Sequence, residues 1–419
     1  MILKSVGKNI CTLCKGSRHL CGRPVCPILL RIRSLREVSQ KIGRKTEFFG
    51  SSPPGVFVGE WGYPRINIGG LVPPETGEPA RLFDSPKDWI KKRTSLLDII
   101  KFRASLLYSK ANMHIKTPSR FQEKLLEKLQ ELSMSIKPTD VEVKLRKPPL
   151  YRLTFDGIVT PIGVEGQVNK LDLASNPVIP RKVDQIIEDK DIKTVDAIWE
   201  LYSSNISIYS LIRMLSVGVF GYRNRRKLVP TRWSITAVDK MLSEKMRKTI
   251  ITYDLVSDIL VFHNEYLGNH YEIIMYPHSL ALEMIEIWMP QTIWVPTEKP
   301  EIYYVYELAD GRVSDEDGGY YAIRLGVFEY LNRIRRQAAV IVVREIRPEY
   351  FAPVGNWQIR ENVRTALKRP PKKFPSLSEA IEDVQSRLRT PINLWIKSSY
   401  LIDMLKYQTT VTDYIKRNN

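Results

Sequence analysis

Residues 302–343 read IYYVYELADGRVSDEDGGYYAIRLGVFEYLNRIRRQAAVIVV. The apolar run Ile302–Leu308 predicts a strand, Tyr320–Ala338 a long helix, and Val340–Val343 a second strand. Between them, Asp310 to Gly319 holds Asp315, Glu316 and Asp317. This acidic turn falls short of the EF-hand spacing and reads as carboxylates gathered at a helix N-terminus, where the helix dipole favours them. Strand and helix mix here without the regular alternation of a doubly wound sheet.

Downstream, a Pro-rich loop, Arg369–Pro375, precedes a helix from Ser376 to about Leu388. Upstream, Pro290, Pro296 and Pro300 space out a stretch taken as the main domain boundary. Further towards the N-terminus, helices are expected at Val195–Tyr202 and Ile208–Leu215, and strands at Val141–Leu145 and Leu150–Phe155. Another helix follows Thr117-Pro118-Ser119, with Phe121, Leu125, Leu126, Leu129 and Leu132 on one face. Asp84-Ser85-Pro86 signals a helix start, expected to run to about Tyr108. Phe48–Pro74 is punctuated by Gly and Pro around the short β-type runs Val56–Val58 and Arg65–Ile68, and Pro27–Ile42 has helical spacing. No repeat period is visible. The expected fold is α+β and multi-domain, with a small N-terminal four-cysteine metal knuckle. Its parts are a basic module at 1–46, an α+β domain at 47–290, a second at 300–405 and a tail at 406–419.

The composition agrees with a folded protein rich in positive charge. The chain has 419 residues, 43% of them hydrophobic, and 64 Lys+Arg against 46 Asp+Glu give a net +18. That balance points to a polyanionic partner, nucleic acid or an acidic membrane surface. No apolar run approaches the ~18 residues of a membrane span, and the N-terminus lacks a signal-peptide core. The expected location is the cytoplasm, in association with the nucleoid.

All four cysteines, Cys11, Cys14, Cys21 and Cys26, lie near the N-terminus as C-x2-C-x6-C-x4-C. A disulfide scaffold would spread its bridges through the fold, so the cluster reads as a metal knuckle. Four thiolates close the coordination shell of a zinc ion, which would hold structure rather than activate water. An iron–sulfur cluster uses the same ligands and stands as the alternative. Around the knuckle, residues 1–46 carry eleven Lys and Arg against the single acid Glu37, a surface suited to phosphate contacts.

Further basic clusters recur with aromatics. Tyr222-Arg223-Asn224-Arg225-Arg226-Lys227 precedes Thr231-Arg232-Trp233, and Arg223, Arg225, Arg226, Lys227 and Arg232 are candidate DNA-binding residues. Trp233 could stack on a base, although a tryptophan is more often part of a core. Arg333, Arg335 and Arg336 lie on the long helix, and Lys368, Arg369, Lys372 and Lys373 surround the late proline loop.

A catalytic constellation is harder to find. There is no phosphate loop, no G-x-S-x-G and no nucleotide-binding glycine fingerprint. If Gly268-Asn269 is a hairpin turn, Glu265 faces Glu272, and His263, Glu265, His270 and Glu272 share one face. Such a set would suit a divalent-metal nuclease. The plainer reading is a half-buried hairpin with its polar face in water. Whether the chain is an enzyme stays open.

The C-terminal sequence Gln408-Thr-Thr-Val411-Thr-Asp-Tyr414-Ile415 places a glutamine before apolar residues three, six and seven positions on. In one helical turn Val411, Tyr414 and Ile415 share a side and can fill a hydrophobic pocket while Gln408 hydrogen-bonds beside it. This resembles the peptide by which proteins bind the PCNA sliding clamp, with Val411 smaller than usual and Ile415 in place of a second aromatic.

The whole chain resembles the archaeal Nre family of DNA repair proteins. The resemblance is carried by Ser52-Pro-Pro-Gly-Val-Phe-Val-Gly59 with Gly62-Tyr-Pro64, by Val229-Pro-Thr-Arg-Trp-Ser-Ile-Thr-Ala-Val-Asp239, by Gly318–Leu325 and by Val343–Tyr350. It implies a role in the response to DNA damage, a zinc-finger-like N-terminus and clamp binding through the C-terminal peptide. It transfers no catalytic residues. The expectation is a DNA repair factor that binds DNA through basic surface and is recruited by the clamp. A metal-dependent nuclease, or an RNA- or ribosome-associated protein, are the competing readings.

Overall fold

Alternating apolar residues build twelve strands into two six-stranded sheets among the described residues. The structure is a computed structural model, and it describes residues 14, 18, 26–120, 122–152, 154, 156–290, 292, 294, 295 and 298–407. The first sheet holds β1 (Glu47–Ser52), β2 (Val56–Val58), β3 (Arg65–Val72), β4 (Leu107–His114), β5 (Thr139–Leu145) and β6 (Glu165–Leu173), in the order β1-β5-β6-β4-β3-β2. Only the β4–β6 pair is parallel. The second holds β7 (Ile259–Tyr266), β8 (Asn269–Tyr276), β9 (Ala281–Trp288), β10 (Glu301–Glu307), β11 (Ala339–Ile346) and β12 (Lys372–Phe374), in the order β10-β9-β11-β8-β7-β12. Here β9 and β11 are the parallel pair. The α+β expectation therefore holds.

The segment from 302 to 343 folds as read: β10, a helix at Gly318–Ile334, then β11. Asp317 caps that helix, its Oδ1 accepting from the N–H groups of Gly319 at 2.7 Å and Tyr320 at 2.9 Å. The proline-spaced stretch at 290–300 joins β9 to β10, which pair with each other, so the second sheet runs across it. The single helix expected from Ser85 to about Tyr108 is two, Pro86–Lys91 and Leu96–Ala104. Arg93 between them takes φ 51, and Ser95 restarts the helix by accepting from Asp98 N–H at 3.1 Å. The chain then enters β4, and the described residues among 150–154 contribute isolated bridges, Leu150 to Glu165 and Thr154 to Ile162.

The second sheet is covered on both faces. Phe262, Tyr271, Ile273, Met275, Leu282, Met284, Val340 and Val342 bury one face within the main core, with the helices Thr231–Ile250, Gly318–Ile334 and Trp357–Ala366. Val261, Ile274, Ile285, Ile341 and Val343 bury the other under the C-terminal helices Leu377–Gln385, Ile392–Trp395 and Tyr400–Tyr407. The main core continues from the first sheet through Val58, Ile66, Leu129 and Leu211 to the helix Thr231–Ile250, so one apolar interior serves both sheets. A buried ion pair ties two of these helices: Arg360 Nε lies 2.9 Å from Asp239 Oδ1 and its Nη2 2.5 Å from Oδ2.

Candidate nucleic-acid interface

An open groove of about 800 Å³ runs between the helix Pro86–Lys91, the turn at 205–208 and the helices Gly318–Ile334 and Trp357–Ala366. Its shape follows from packing. Trp89 turns inward, fully buried, with its ring 5.1 Å from Trp357, which leaves Lys87 and Lys91 on the outward side of the same short helix. Gly326 lets the other two helices meet, since a Cβ there would stand 2.8 Å from Val363 Cγ1.

The groove is positive because its cations, Lys87, Lys91, Arg93, Arg333, Arg364 and Lys368, outnumber its two acids, Glu329 and Glu361. Arg364 grips Glu329 with Nε at 2.7 Å and Nη2 at 2.5 Å, and reaches Glu361 with Nη1 at 2.7 Å. Burial works against the Arg364 cation, but Glu329 and Glu361 outweigh it and hold its pKa well above the ordinary guanidinium value. Lys87, Lys91 and Lys368 line the groove, are exposed, and make no ion pair among the described residues. Arg93 and Arg333 add charge at the rim while their guanidinium groups also donate to the carbonyls of Glu265 at 3.0 Å and Leu367 at 3.2 Å. Unpaired cations on packed helices are what a phosphate backbone needs for register without sequence reading.

The cations singled out in the sequence are divided among different jobs. Arg223, Arg225 and Lys227 are exposed. Arg226 is half-buried and donates to the carbonyls of Gly221 at 3.0 Å and Ile187 at 2.9 Å, so it braces loops, and burial lowers its pKa. Arg223 and Arg226 share a cavity with Glu123, Glu127 and Glu188, a mixed-charge environment. Arg232 lines a separate cleft of about 370 Å³ with Glu286, Trp288 and Arg344, and lies 3.5 Å from Glu60 and 3.9 Å from Asp156. Lys372 and Lys373 are spent on Asp383 and Asp258. Trp233 is exposed rather than part of the core.

The hairpin face carries a different outcome. The turn residues are Leu267 and Gly268, both at positive φ, so His263 pairs with Glu272 and Glu265 with His270. The four side chains share a face as expected, but only part of it meets water: Glu265 is exposed and His263 half-buried. His270 and Glu272 are buried beneath Arg347 and Arg387. Arg387 binds Glu272 with Nε at 2.6 Å and Nη2 at 2.7 Å, Arg347 binds Glu265 at 2.7 Å, and His270 Nε2 lies 2.7 Å from Glu272. Burial lowers the pKa of His263. Arg387 engages both oxygens of Glu272 and Arg347 one oxygen of Glu265, and among the described residues no group of three or more His, Cys, Asp or Glu is placed to hold a metal. The candidate nuclease face carries an ion-pair network, buried at His270 and Glu272 and open at Glu265.

Of the expected metal ligands, Cys14 is buried and Cys26 is half-buried at the N-cap of the helix Pro27–Ile42, while Cys11 and Cys21 lie outside the described residues. The clamp-binding candidates Gln408, Val411, Tyr414 and Ile415 all lie outside the described residues. The helix Tyr400–Tyr407 immediately precedes them. No helix among the described residues is long and apolar enough to cross a membrane.

Comparison with known proteins extends over nearly the whole chain. Residues 20–295 match the model described as archaeal Nre, N-terminal, and residues 307–414 that of archaeal Nre, C-terminal. The DNA repair protein NreA of Archaeoglobus fulgidus is 38% identical over 379 residues, 90% of this chain and 93% of that protein. NreB of the same organism is 34% identical over 401 residues, covering 95% and 98%, and NreA of Haloferax volcanii is 31% identical over 384, covering 90% and 91%. No solved structure matches.

Proposed function

The chain belongs to the archaeal Nre family, and on that premise we propose that it is a DNA repair factor that holds DNA along the basic groove and is recruited by the PCNA sliding clamp. The observation that carries the reading is the unpaired set Lys87, Lys91 and Lys368 on a groove whose two acids, Glu329 and Glu361, are both engaged by Arg364. Curated relatives that match about nine-tenths of the chain or more and are named DNA repair proteins support the polyanion being DNA. The clamp is engaged by the C-terminal peptide, with Val411, Tyr414 and Ile415 filling its pocket and Gln408 hydrogen-bonding beside them. The protein works in the cytoplasm, at the nucleoid.

Cys11, Cys14, Cys21 and Cys26 hold one zinc ion in this proposal, with an iron–sulfur cluster as the alternative on the same ligands. A closed four-thiolate site supplies rigidity, so the basic side chains around it lose less freedom when they meet phosphate. The residues themselves do the binding.

The role is tested in cells. A strain whose protein lacks residues 408–419 and a strain lacking the protein altogether are exposed to a DNA-crosslinking agent. Both should lose viability relative to wild type; wild-type survival of the strain lacking the protein would refute the repair role, and of the truncated strain the recruitment by the tail. A ribosome-associated role would instead give a stronger affinity for structured RNA than for DNA of the same charge.

A further inference from the structure

Three aromatic rings stand in water beside the first sheet. Trp61 is 85% exposed, Tyr63 53% and Trp233 48%, and none belongs to a hydrophobic cluster of the core. Single exposed apolar side chains are ordinary, but neighbouring large rings on one surface mark a binding site. Tyr63 and Trp233 come from segments far apart in sequence and lie 5.7 Å apart, centroid to centroid, with planes 39° apart. Trp61 stands two residues before Tyr63 on the same turn.

The backbone that carries the rings is tied to the rest of the fold. The turn closes by Arg65 N–H donating to Gly62 C=O at 2.9 Å, and Gly62 takes φ +89, where an added Cβ would lie 2.7 Å from the Arg65 carbonyl oxygen. Ile115 N–H donates to Pro64 C=O at 2.9 Å, and Val58 N–H donates to Thr231 Oγ1 at 2.9 Å, which fixes β2 to the start of the helix that carries Trp233. Cations border the rings. Arg65 is exposed and donates to Asn112 at 3.1 Å, and Arg232, next to Trp233, is only loosely held by Glu60 at 3.5 Å.

From this arrangement we infer that Trp61, Tyr63 and Trp233 form a stacking platform for unpaired DNA bases, with Arg65 and Arg232 beside them for the phosphates. Every base has a π-face, so such a platform takes single-stranded or locally opened DNA without reading its sequence, and it cannot engage bases that remain stacked in a duplex. The inference rests on the DNA-binding reading and adds the substrate class to it: the groove contacts backbone charge, while the rings select DNA whose bases are free.

The test compares the full-length protein's affinity for oligo(dT) with that for an abasic strand of the same length, which has the same phosphates and no bases. Wild type should prefer oligo(dT) by about tenfold or more, the order of one or two stacked bases. The triple variant Trp61→Ala, Tyr63→Ala, Trp233→Ala should lose that preference while keeping its affinity for the abasic strand. The Phe replacements at the same three positions should keep the preference, which separates stacking from misfolding. Equal affinity of wild type for both strands, or a preference that survives the Ala variant, overturns the platform. Such results leave the groove reading intact so long as both strands bind; failure of wild type to bind any DNA removes both.

Discussion

Arg387 faces Glu272 in a fork, Nε 2.6 Å from one carboxylate oxygen and Nη2 2.7 Å from the other, across 115 residues of sequence. Glu272 is fully buried, and its carboxylate is also met by His270 Nε2 at 2.7 Å. Burial opposes the Arg387 cation, yet the hydrogen bonds it donates to Glu272 and Asp383 raise its pKa. Breaking a buried pair by removing one member leaves an uncompensated charge, which costs about 3–5 kcal/mol. Arg387→Ala should lower stability by that order in urea unfolding, and adding Mg²⁺ or Mn²⁺ to the wild type should not raise its melting temperature. A metal-dependent rise that Glu272→Gln abolishes would restore the hairpin face as a metal site.

Glu283 holds the C-terminal helix from beneath. Its carboxylate accepts from the Ser399 hydroxyl at 2.5 Å, Tyr400 N–H at 2.8 Å and Leu401 N–H at 3.1 Å. Burial nevertheless pushes its pKa above the ordinary value of 4.5. An acid whose folded pKa is raised favours the fold when protonated, and that contribution is lost as pH rises through the folded pKa. The melting temperature of Glu283→Gln minus that of wild type should therefore grow more positive as pH rises from below 4.5. A difference that shrinks with pH would mean that the ionised carboxylate stabilises the docking.

Metal analysis of the purified protein should find about one equivalent of zinc, released by substituting Ser for Cys11, Cys14, Cys21 or Cys26. Iron with visible absorbance would favour the cluster. Protein free of both metals after purification without chelators would remove the knuckle.

Tyr414→Ala should abolish binding to the sliding clamp in a calorimetric titration, because the ring is the largest group offered to the clamp pocket. Unchanged affinity would refute the tail assignment.

The hairpin shows how much of this was legible in sequence. Alternation alone put His263, Glu265, His270 and Glu272 on one face. The register missed because Leu267, a residue that rarely takes positive φ, occupies the turn with φ 56. The covering arginines come from distant segments, and nothing local marks them as partners. The same limit applies to the groove. Arg333 and Lys368 stood out as basic positions, but Lys87 and Lys91 join them only because buried Trp89 packs on Trp357. The 20-residue helix Thr231–Ile250 was hidden behind its own basic and aromatic start, whose residues signal binding more loudly than periodicity. Helix boundaries that depend on one backbone angle, such as Arg93 at φ 51, leave no compositional trace.

The central claim is tested most directly by titrating labelled DNA with wild type and with the triple variant Lys87→Glu, Lys91→Glu, Lys368→Glu over a range of salt concentrations. Counterion release predicts that the slope of log affinity against log salt becomes shallower by about 0.9 for each phosphate the protein no longer neutralises. For the variant that is a change of about 2–3, together with at least a ~10-fold weaker Kd. An unchanged Kd and slope would contradict the account and place DNA elsewhere on the molecule.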